Sequence, residues 1–519
     1  MRERVVVVGS GVAGLSAAVA AAEAGRVVTV LERADRFGGT TAISGGVAWL
    51  PGNHLMPEVD PPGDAMAYLA GLALGDSDEA ALATFVAEAP RAAAWIEEHT
   101  ELRWMGIPYP DYHQSMPGAR EAGRAVEPQP LVVPSEVEAI VGTSPHARVP
   151  VTYGEGMTGA VDAAEVGRRV EAGMQTMGRA LVSALVMRLR ELGADLRASM
   201  RVDRLRQEGD VVTGVTCGAQ HFRARVVLAS GGFDRDPELV RRFLRGPMDA
   251  PAGAAHLTGD GLRMAMAVGA DLGNMSEAWW MPAMVVPGLQ HDGAPVHRLL
   301  LTERAMPGGL MVDRTGRRFT NETQNYNDLG REMQAFDAAT FSHSRLPCWL
   351  VVDGRFRSRY GLGPLRPGSD DPDWLARADD LGALADRIGV PADALASTVE
   401  RFNDHAARGE DPDFGRGTSA YDRGIGDPTA PHPNLGPLTE PPYYAIEVRL
   451  GCLGTKGGPR TDDRGRVRSA WGETIPGLYA VGNVAASPFG FAYAGAGGTI
   501  GPALVAGIRA GEAAASDEG

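Results

Sequence analysis

Tyr493 stands in a run of small residues, Phe489-Gly490-Phe491-Ala492-Tyr493-Ala494-Gly495-Ala496-Gly497-Gly498-Thr499-Ile500-Gly501-Pro502. Its phenol can donate a hydrogen bond or lose a proton. The glycines around it let another molecule come close to the backbone. An apolar helix is predicted from near Gly498, and a helix start offers unpaired N–H groups with a partial positive charge. Such a segment can hold a cofactor and polarise a substrate at once. An ordinary loop leading into a C-terminal helix has the same composition, so the rest of the chain must decide.

A second glycine spacing lies at the other end. Arg4 to Val8 reads as a buried strand, followed by Gly9-Ser10-Gly11-Val12-Ala13-Gly14. An alanine-rich helix is predicted over Leu15–Ala24, closed by Gly25, and then a strand over Val27–Leu31 that ends in Glu32. Strand, G-x-G-x-x-G, helix, strand and acid form the dinucleotide fingerprint. Gly9 would make the tight turn, Gly11 would admit the pyrophosphate, and Gly14 would pack helix on strand. Glu32 would accept from a ribose hydroxyl and disfavour a 2′-phosphate. Gly38-Gly39-Thr40-Thr41-Ala42-Ile43-Ser44-Gly45-Gly46 follows directly. Small and hydroxyl residues there suit a long cofactor reaching past the first βαβ unit, which favours FAD over NAD.

The elements that must position these residues belong to a long chain. Its 519 residues predict two domains. Hydrophobic content of 44% and charged content of 22% are those of a soluble globular protein. The net charge of −15, with no basic run, argues against nucleic acid and anionic membrane as partners. Cys217, Cys348 and Cys452 have no metal or redox spacing, so a reduced, cytoplasmic protein without a metal is expected. No apolar run is long enough to span a membrane. Arg2 and Arg4 before an apolar stretch imitate a signal peptide, but the glycine spacing accounts for that stretch better.

Between the two glycine motifs, a helix is predicted over Ser77–His99 with Ser77 as its N-cap, and a long ordered loop over Arg103–Pro134. Gln175–Leu192 reads as an amphipathic helix, and short strands alternate over Ala194–Gly218. Arg225–Ala229 reads as a buried strand ending in Ser230-Gly231-Gly232-Phe233. Thr258 or Asp260 would cap a further helix. Residues 276–434 change composition and read as an inserted domain, with the chain re-entering the nucleotide fold near Pro441-Pro442-Tyr443-Tyr444 and closing it at Gly477–Asn483. Trp279 and Trp280 read as core, His54 and His113 as structural or solvated, and Ser516–Gly519 as a frayed tail.

Four stretches resemble one family: Gly9–Gly46, Gly316-Arg317-Arg318-Phe319-Thr320-Asn321-Glu322, Gly454-Thr455-Lys456-Gly457-Gly458, and Gly477–Gly501. Together, in order and across nearly the whole chain, they resemble the bacterial 3-ketosteroid dehydrogenases, within the fumarate reductase flavoprotein superfamily. The Tyr493–Pro502 segment looks like the Δ1-dehydrogenase form. The resemblance implies an α/β fold: a Rossmann-like FAD-binding domain over 1–275 and 435–519, with an inserted α+β substrate-binding domain over 276–434. It implies FAD held by Gly9, Gly11, Val12, Ala13, Gly14, Glu32, Arg33, Gly38, Gly39, Thr40, Thr41, Ser44, Gly45, Gly46, Val202, Ser230, Gly231, Asp260, Gly482, Asn483, Gly498, Thr499 and Ile500. Covalent members of the superfamily carry a histidine in the 38–46 stretch; none stands here, so non-covalent FAD is implied.

The chemistry the resemblance implies is α,β-dehydrogenation of a cyclic ketone, above all 1(2)-dehydrogenation of a 3-ketosteroid. Tyr493 and the N–H of Gly497 match the groups that polarise the carbonyl. Tyr326 matches the base that takes the α-proton, and Tyr112, with Tyr109 as its rival, matches the assisting tyrosine. The fumarate-type enzymes place histidine and arginine where Phe489 and Tyr493 stand, and arginine where Tyr326 stands, so a neutral ketone is expected rather than a dicarboxylate. A non-steroid cyclic-ketone desaturase, an ene-reductase and an idle flavin carrier are the other readings. An external electron acceptor and a monomer or small homo-oligomer are expected, and the bulky Phe489 and Phe491 are expected to narrow the pocket.

Overall fold

The computed structural model describes residues 4–75, 77–147 and 149–517. The chain divides into two compact units. The first runs to Leu244 and takes in Gly253–Ala278 and the chain from Gly454 onward; the second comprises Arg245–Ala252 and Trp279–Leu453. The return to the first unit thus falls at Gly454 rather than near Pro441, because the 13-residue strand Tyr443–Thr455 first crosses the second unit's sheet.

The first unit is built on a six-stranded sheet. Its labelled elements are β1 (Arg4–Val8), α1 (Val12–Glu23), β2 (Val27–Leu31), α2 (Met177–Glu191), β3 (Asp195–Arg197), β4 (Arg225–Leu228), β5 (Arg466–Arg468), β6 (Thr474–Ala480) and α3 (Ile500–Ser516). The strand order is β5-β6-β4-β1-β2-β3, with β6 to β3 parallel and β5 antiparallel at the edge. β1 is the centre: Val7 lies opposite Val30 on one side and Val227 on the other. A strand flanked on both sides and covered on both faces must be apolar throughout, which is why Val5-Val6-Val7-Val8 reads as a continuous run. The core under the sheet joins Val6, Val8, Val226, Leu228, Leu478 and Ala480. Val202 belongs to this core, so only its backbone is placed to serve a cofactor.

Two glycine contacts explain the fingerprint. A Cβ on Gly9 would stand 2.4 Å from Ala229 O, and its φ is +104°. A Cβ on Gly14 would stand 2.3 Å from Gly9 O, so α1 can lie this close to the strand turn only with glycine there. The helix starts at Val12 and thus encloses Gly14. α3 packs on α1 in the same manner: a Cβ on Gly511 would stand 2.3 Å from Ala17 O.

Some expected boundaries move. Asp78, not Ser77, caps the helix Glu79–His99, its carboxylate accepting from Ala80 N and Ala81 N. Neither Thr258 nor Asp260 caps the helix Asp260–Ala267; Gly259 occupies that position, and Asp260 is taken instead by Arg33 and Arg201, each at 3.0 Å. The expected loop Arg103–Pro134 contains short strands at Trp104–Gly106, Ala125–Pro128 and Leu131–Val132. The first two join Ala48–Trp49 in a small sheet, leaving 107–124 as the loop. The C-terminal helix starts at Ile500 rather than Gly498. Ser516 ends it, and Asp517 accepts from Tyr479 Oη at 2.6 Å, so neither is frayed; the rest of the expected tail lies outside the described residues.

The second unit carries a sheet of order Ala294–Leu299, Ala278–His291, Tyr443–Thr455, Cys348–Val352, Gly309–Asp313. Helices Leu381–Ile388 and Ala392–Ala406 cover it through Leu384, Leu395, Val399 and Phe402, which pack on Leu310, Val312 and Val351. Trp279 and Trp280 are buried, as expected of core residues. Among the described residues no helix is long and apolar enough to cross a membrane.

Candidate active site

The glycine loop before α3 is fixed to the first unit by backbone bonds to two separate segments. Trp49 N donates to Gly497 O at 3.1 Å, and Tyr112 N donates to Ala494 O at 3.0 Å. Gly497 has φ +90°, and a Cβ there would stand 2.6 Å from Ala48 C and Trp49 N. Only glycine can hold this turn. The Tyr493 ring lies along Gly498, where a Cβ would be 2.8 Å from Cε2. Tyr112 meets Tyr493 edge-to-face, with ring centroids 5.3 Å apart, and Tyr109 stands 6.4 Å from Tyr112. The structure therefore brings Tyr112, Tyr493 and the Gly497 turn together within one unit.

A buried polar network backs this surface. Trp49 Nε1 donates to Asp111 Oδ1 at 2.8 Å, and Arg124 Nη1 donates to Asp111 Oδ2 at 2.6 Å. Arg124 also grips Asp60 with two bonds of 2.8 and 2.9 Å and lies over the rings of Trp49 and Tyr68. Burial opposes the Asp60 charge, but Arg124 outweighs it and holds that carboxyl below its ordinary range. Burial pushes the Asp111 carboxyl up against the pull of Arg124. Asp111 precedes Tyr112 in the chain, so the network fixes where that tyrosine starts. A Cβ on Gly495 would strike the Trp49 indole at 2.8 Å, so indole and loop are in close contact.

Phe489 packs into the aromatic cluster behind the loop. It is fully buried and packs edge-on against Trp49 and Phe85, at 6.1 and 5.2 Å. Phe491, beside it, is half-buried.

Tyr326 belongs to the second unit. It is the first residue of the helix Tyr326–Met333, which Asn325 caps by accepting from Asp328 N at 3.1 Å. The preceding Gly316–Glu322 stretch is fixed by a buried ion cluster: Arg318 Nη2 to Glu322 Oε2 at 2.7 Å, Arg318 Nη1 to Asp411 Oδ1 at 2.9 Å, and Arg416 Nη1 to Glu322 Oε2 at 3.1 Å. Burial opposes the Glu322 charge, but Arg318 and Arg416 outweigh it and hold the carboxyl below its ordinary range. The helix is seated by Trp280 N, which donates to Asn327 Oδ1 at 3.2 Å.

The expected cofactor residues all fall in the first unit, and Gly9, Glu32, Ser230 and Gly482 lie within two residues of the carboxyl ends of parallel strands, where ligands bind in open α/β sheets. Gly9, Gly14, Gly45 and Gly46 are closed in by protein atoms, whereas a Cβ on Gly11 would meet only Thr41 Oγ1, at 3.6 Å, and one on Gly39 would meet nothing within 4 Å. Gly11, directly before α1, and Gly39 thus leave the kind of open backbone that a pyrophosphate needs. Glu32 accepts from Ser10 N and Oγ at 3.0 and 2.5 Å, and Thr41 Oγ1 accepts from Val12 N at 3.1 Å. Arg33 donates to Asp260, and Thr40 Oγ1 accepts from Ala254 N at 3.0 Å. Ser44 Oγ donates to Thr41 O at 2.8 Å, and Gly482 packs beside Ala13. The residues present fit FAD.

Several side chains that build the site carried no reading of their own in the sequence. Trp49, Tyr68, Asp111 and Arg124 follow no motif. Lys456 was visible as the one cation of Gly454-Thr455-Lys456-Gly457-Gly458; its burial, 0% exposed, is the property that composition could not supply.

Comparison with known proteins shows the family. Residues 4–500 match the FAD binding domain family. The chain is 39% identical to a 4-oxocyclohexanecarboxylate 2-dehydrogenase of Sinomonas cyclohexanicum, over 99% of this chain and 94% of that protein. It is 37% identical to a 3-oxosteroid 1-dehydrogenase of Mycolicibacterium smegmatis, over 98% of this chain and 96% of that one. The crystal structure of a 3-ketosteroid Δ1-dehydrogenase from Sterolibacterium denitrificans, in complex with 1,4-androstadiene-3,17-dione, matches with a TM-score of 0.92 at 34% identity, covering 99% of both chains. With its nucleotide fingerprint, its tyrosine-bearing glycine loop and these full-length likenesses, the chain belongs to the FAD-binding family of 3-oxosteroid 1-dehydrogenases and related cyclic-ketone dehydrogenases.

Proposed function

We propose that this FAD-dependent dehydrogenase desaturates a 3-oxosteroid at its 1(2) bond. The observation that carries the reading is the edge-to-face pair of Tyr493 and Tyr112 beside the Gly497 turn, 5.3 Å between ring centroids. Tyr493 Oη and Gly497 N–H donate to the ketone oxygen and stabilise the negative charge that grows there when the adjacent C–H is broken. Tyr326, the first residue of its helix, takes the α-proton as the general base. Tyr112 is the tyrosine that assists the base. FAD, when bound, supplies the acceptor for the hydride that leaves the β-carbon.

The buried cations behind the loop favour a neutral substrate. Arg124 is spent on Asp60 and Asp111, and Lys456 donates to three backbone carbonyls. Neither is available to grip a carboxylate. A second reading, a monocyclic ketone, is favoured by the 39% identity to the oxocyclohexanecarboxylate enzyme. Anaerobic bleaching of bound flavin separates the two. Rapid bleaching by 3-oxosteroids is the expected result. Bleaching by 4-oxocyclohexanecarboxylate and none by steroids would move the chain to the second reading, and no bleaching by any ketone would defeat both.

A further inference from the structure

Lys456 is an unusual buried charge. Its side chain is fully buried, and Nζ donates to Gly490 O at 3.2 Å, Phe491 O at 3.3 Å and Ala492 O at 2.7 Å. An ammonium has three donors, and three successive carbonyls receive them. The lysine's own backbone is fixed as well: its N donates to Glu277 O and its O accepts from Ser487 N, both at 2.9 Å. Removing a charge from water costs several kcal/mol. An apolar side chain would fill the same space without that cost, but it could not hold a run of carbonyls.

The last of those carbonyls, Ala492 C=O, shares a rigid peptide plane with the N–H of Tyr493. Just beyond the tyrosine a second carbonyl is held. Ala494 O accepts from Tyr68 Oη at 2.6 Å and from Tyr112 N at 3.0 Å, and Tyr68 Oη accepts in turn from His113 N at 3.2 Å. Tyr493 is thus flanked by two pinned carbonyls with few backbone torsions between them. Its Cα–Cβ direction is set by backbone bonds, and the ring then lies along Gly498.

We propose that Lys456 and Tyr68 are positioning residues that clamp the backbone on either side of Tyr493 and so aim its phenol at the ketone oxygen. This rests on the reading of Tyr493 as the ketone's hydrogen-bond donor. Neither residue touches the reacting atoms; both act through Tyr493. A loop clamp with no such role would change stability and FAD content but not the strength of the hydrogen bond to the ketone.

The test is a double-mutant cycle on the holoenzyme with Lys456→Met, Tyr68→Phe and Tyr493→Phe. With FAD retained, each clamp variant is expected to lower kcat about ten- to a hundredfold while KM changes little. In the Tyr493→Phe background neither is expected to lower kcat further, because the group they aim is gone. Infrared difference spectra give a reading independent of turnover. The carbonyl band of the bound enone product is expected to move to higher frequency in Lys456→Met and Tyr68→Phe, as a weaker hydrogen bond requires. Additive losses in the double variants, or an unmoved carbonyl band in the single ones, would overturn the clamp. Unchanged turnover in Tyr493→Phe alone would instead overturn the proposed function. Tyr68→Phe removes one oxygen atom, so it carries the same cycle and the same spectra if Lys456→Met does not fold.

Discussion

At the scale of single residues, the proposed reaction rests on tyrosines, of which Tyr493 and Tyr112 stand edge-to-face. Losing one oxyanion donor commonly costs about 10²–10³ in kcat, and Tyr493→Phe is expected to fall in that range, measured as the rate of flavin reduction. Tyr326→Phe is expected to abolish exchange of the substrate α-proton with solvent while FAD stays bound; unchanged exchange in deuterated buffer would remove Tyr326 from the role of base. Asp234 behaves differently. It is buried six residues past the end of β4, with neither carboxylate oxygen hydrogen-bonded, and burial pushes its carboxyl up to about 7. A carboxyl whose folded pKa lies above its unfolded value of about 3.9 is tolerated while protonated and penalised once ionised. Stability is therefore expected to fall as pH rises from about 4 through about 7. Asp234→Asn should match the parent near pH 4 and exceed it above pH 7, by on the order of a few kcal/mol, in denaturant midpoints across pH.

At the scale of elements, the glycine loop works because a separate strand presses on it. The Ala48–Trp49 backbone sits where a Cβ on Gly497 would be, and φ there is +90°. Gly497→Ala is expected to displace the loop, lowering both kcat and thermal midpoint; a variant with parental values would show that the turn tolerates a side chain. Local signals located most elements. The apolar run of β1, the spacing of Gly9, Gly11 and Gly14 and the alanine-rich α1 could be read directly, because each is governed by near neighbours in sequence. Caps were less legible. Ser77 and Asp78 are both good caps, and only the backbone path chose Asp78. Asp260 failed as a cap because Arg33 and Arg201, distant in sequence, compete for its carboxylate.

At the scale of the whole molecule, the nucleotide-binding unit is assembled from distant segments of the chain. β6 and α3 complete a sheet whose first strand is β1, so a ligand held between the start of α1 and the start of α3 ties the two ends of the sequence together. FAD that binds the folded state alone should stabilise it by about 2.7 kcal/mol at a hundredfold excess over Kd. A thermal midpoint that does not rise with added FAD would contradict pyrophosphate binding at Gly11 and Gly39.

The sequence by itself determined the nucleotide fold and the choice of FAD, and it supplied the tyrosines proposed to act on the ketone. Glycine spacing, an acid at the end of β2 and tyrosines in glycine loops are patterns that hold whatever surrounds them. Only the tertiary structure decided which side chains stand behind those tyrosines. It put Phe489 into the core with Trp49 and Phe85, paired Tyr112 with Tyr493, and set Lys456 under three carbonyls more than thirty residues along the chain. Burial and hydrogen-bond partners at such separations depend on how the whole chain closes on itself, and no local spacing encodes them.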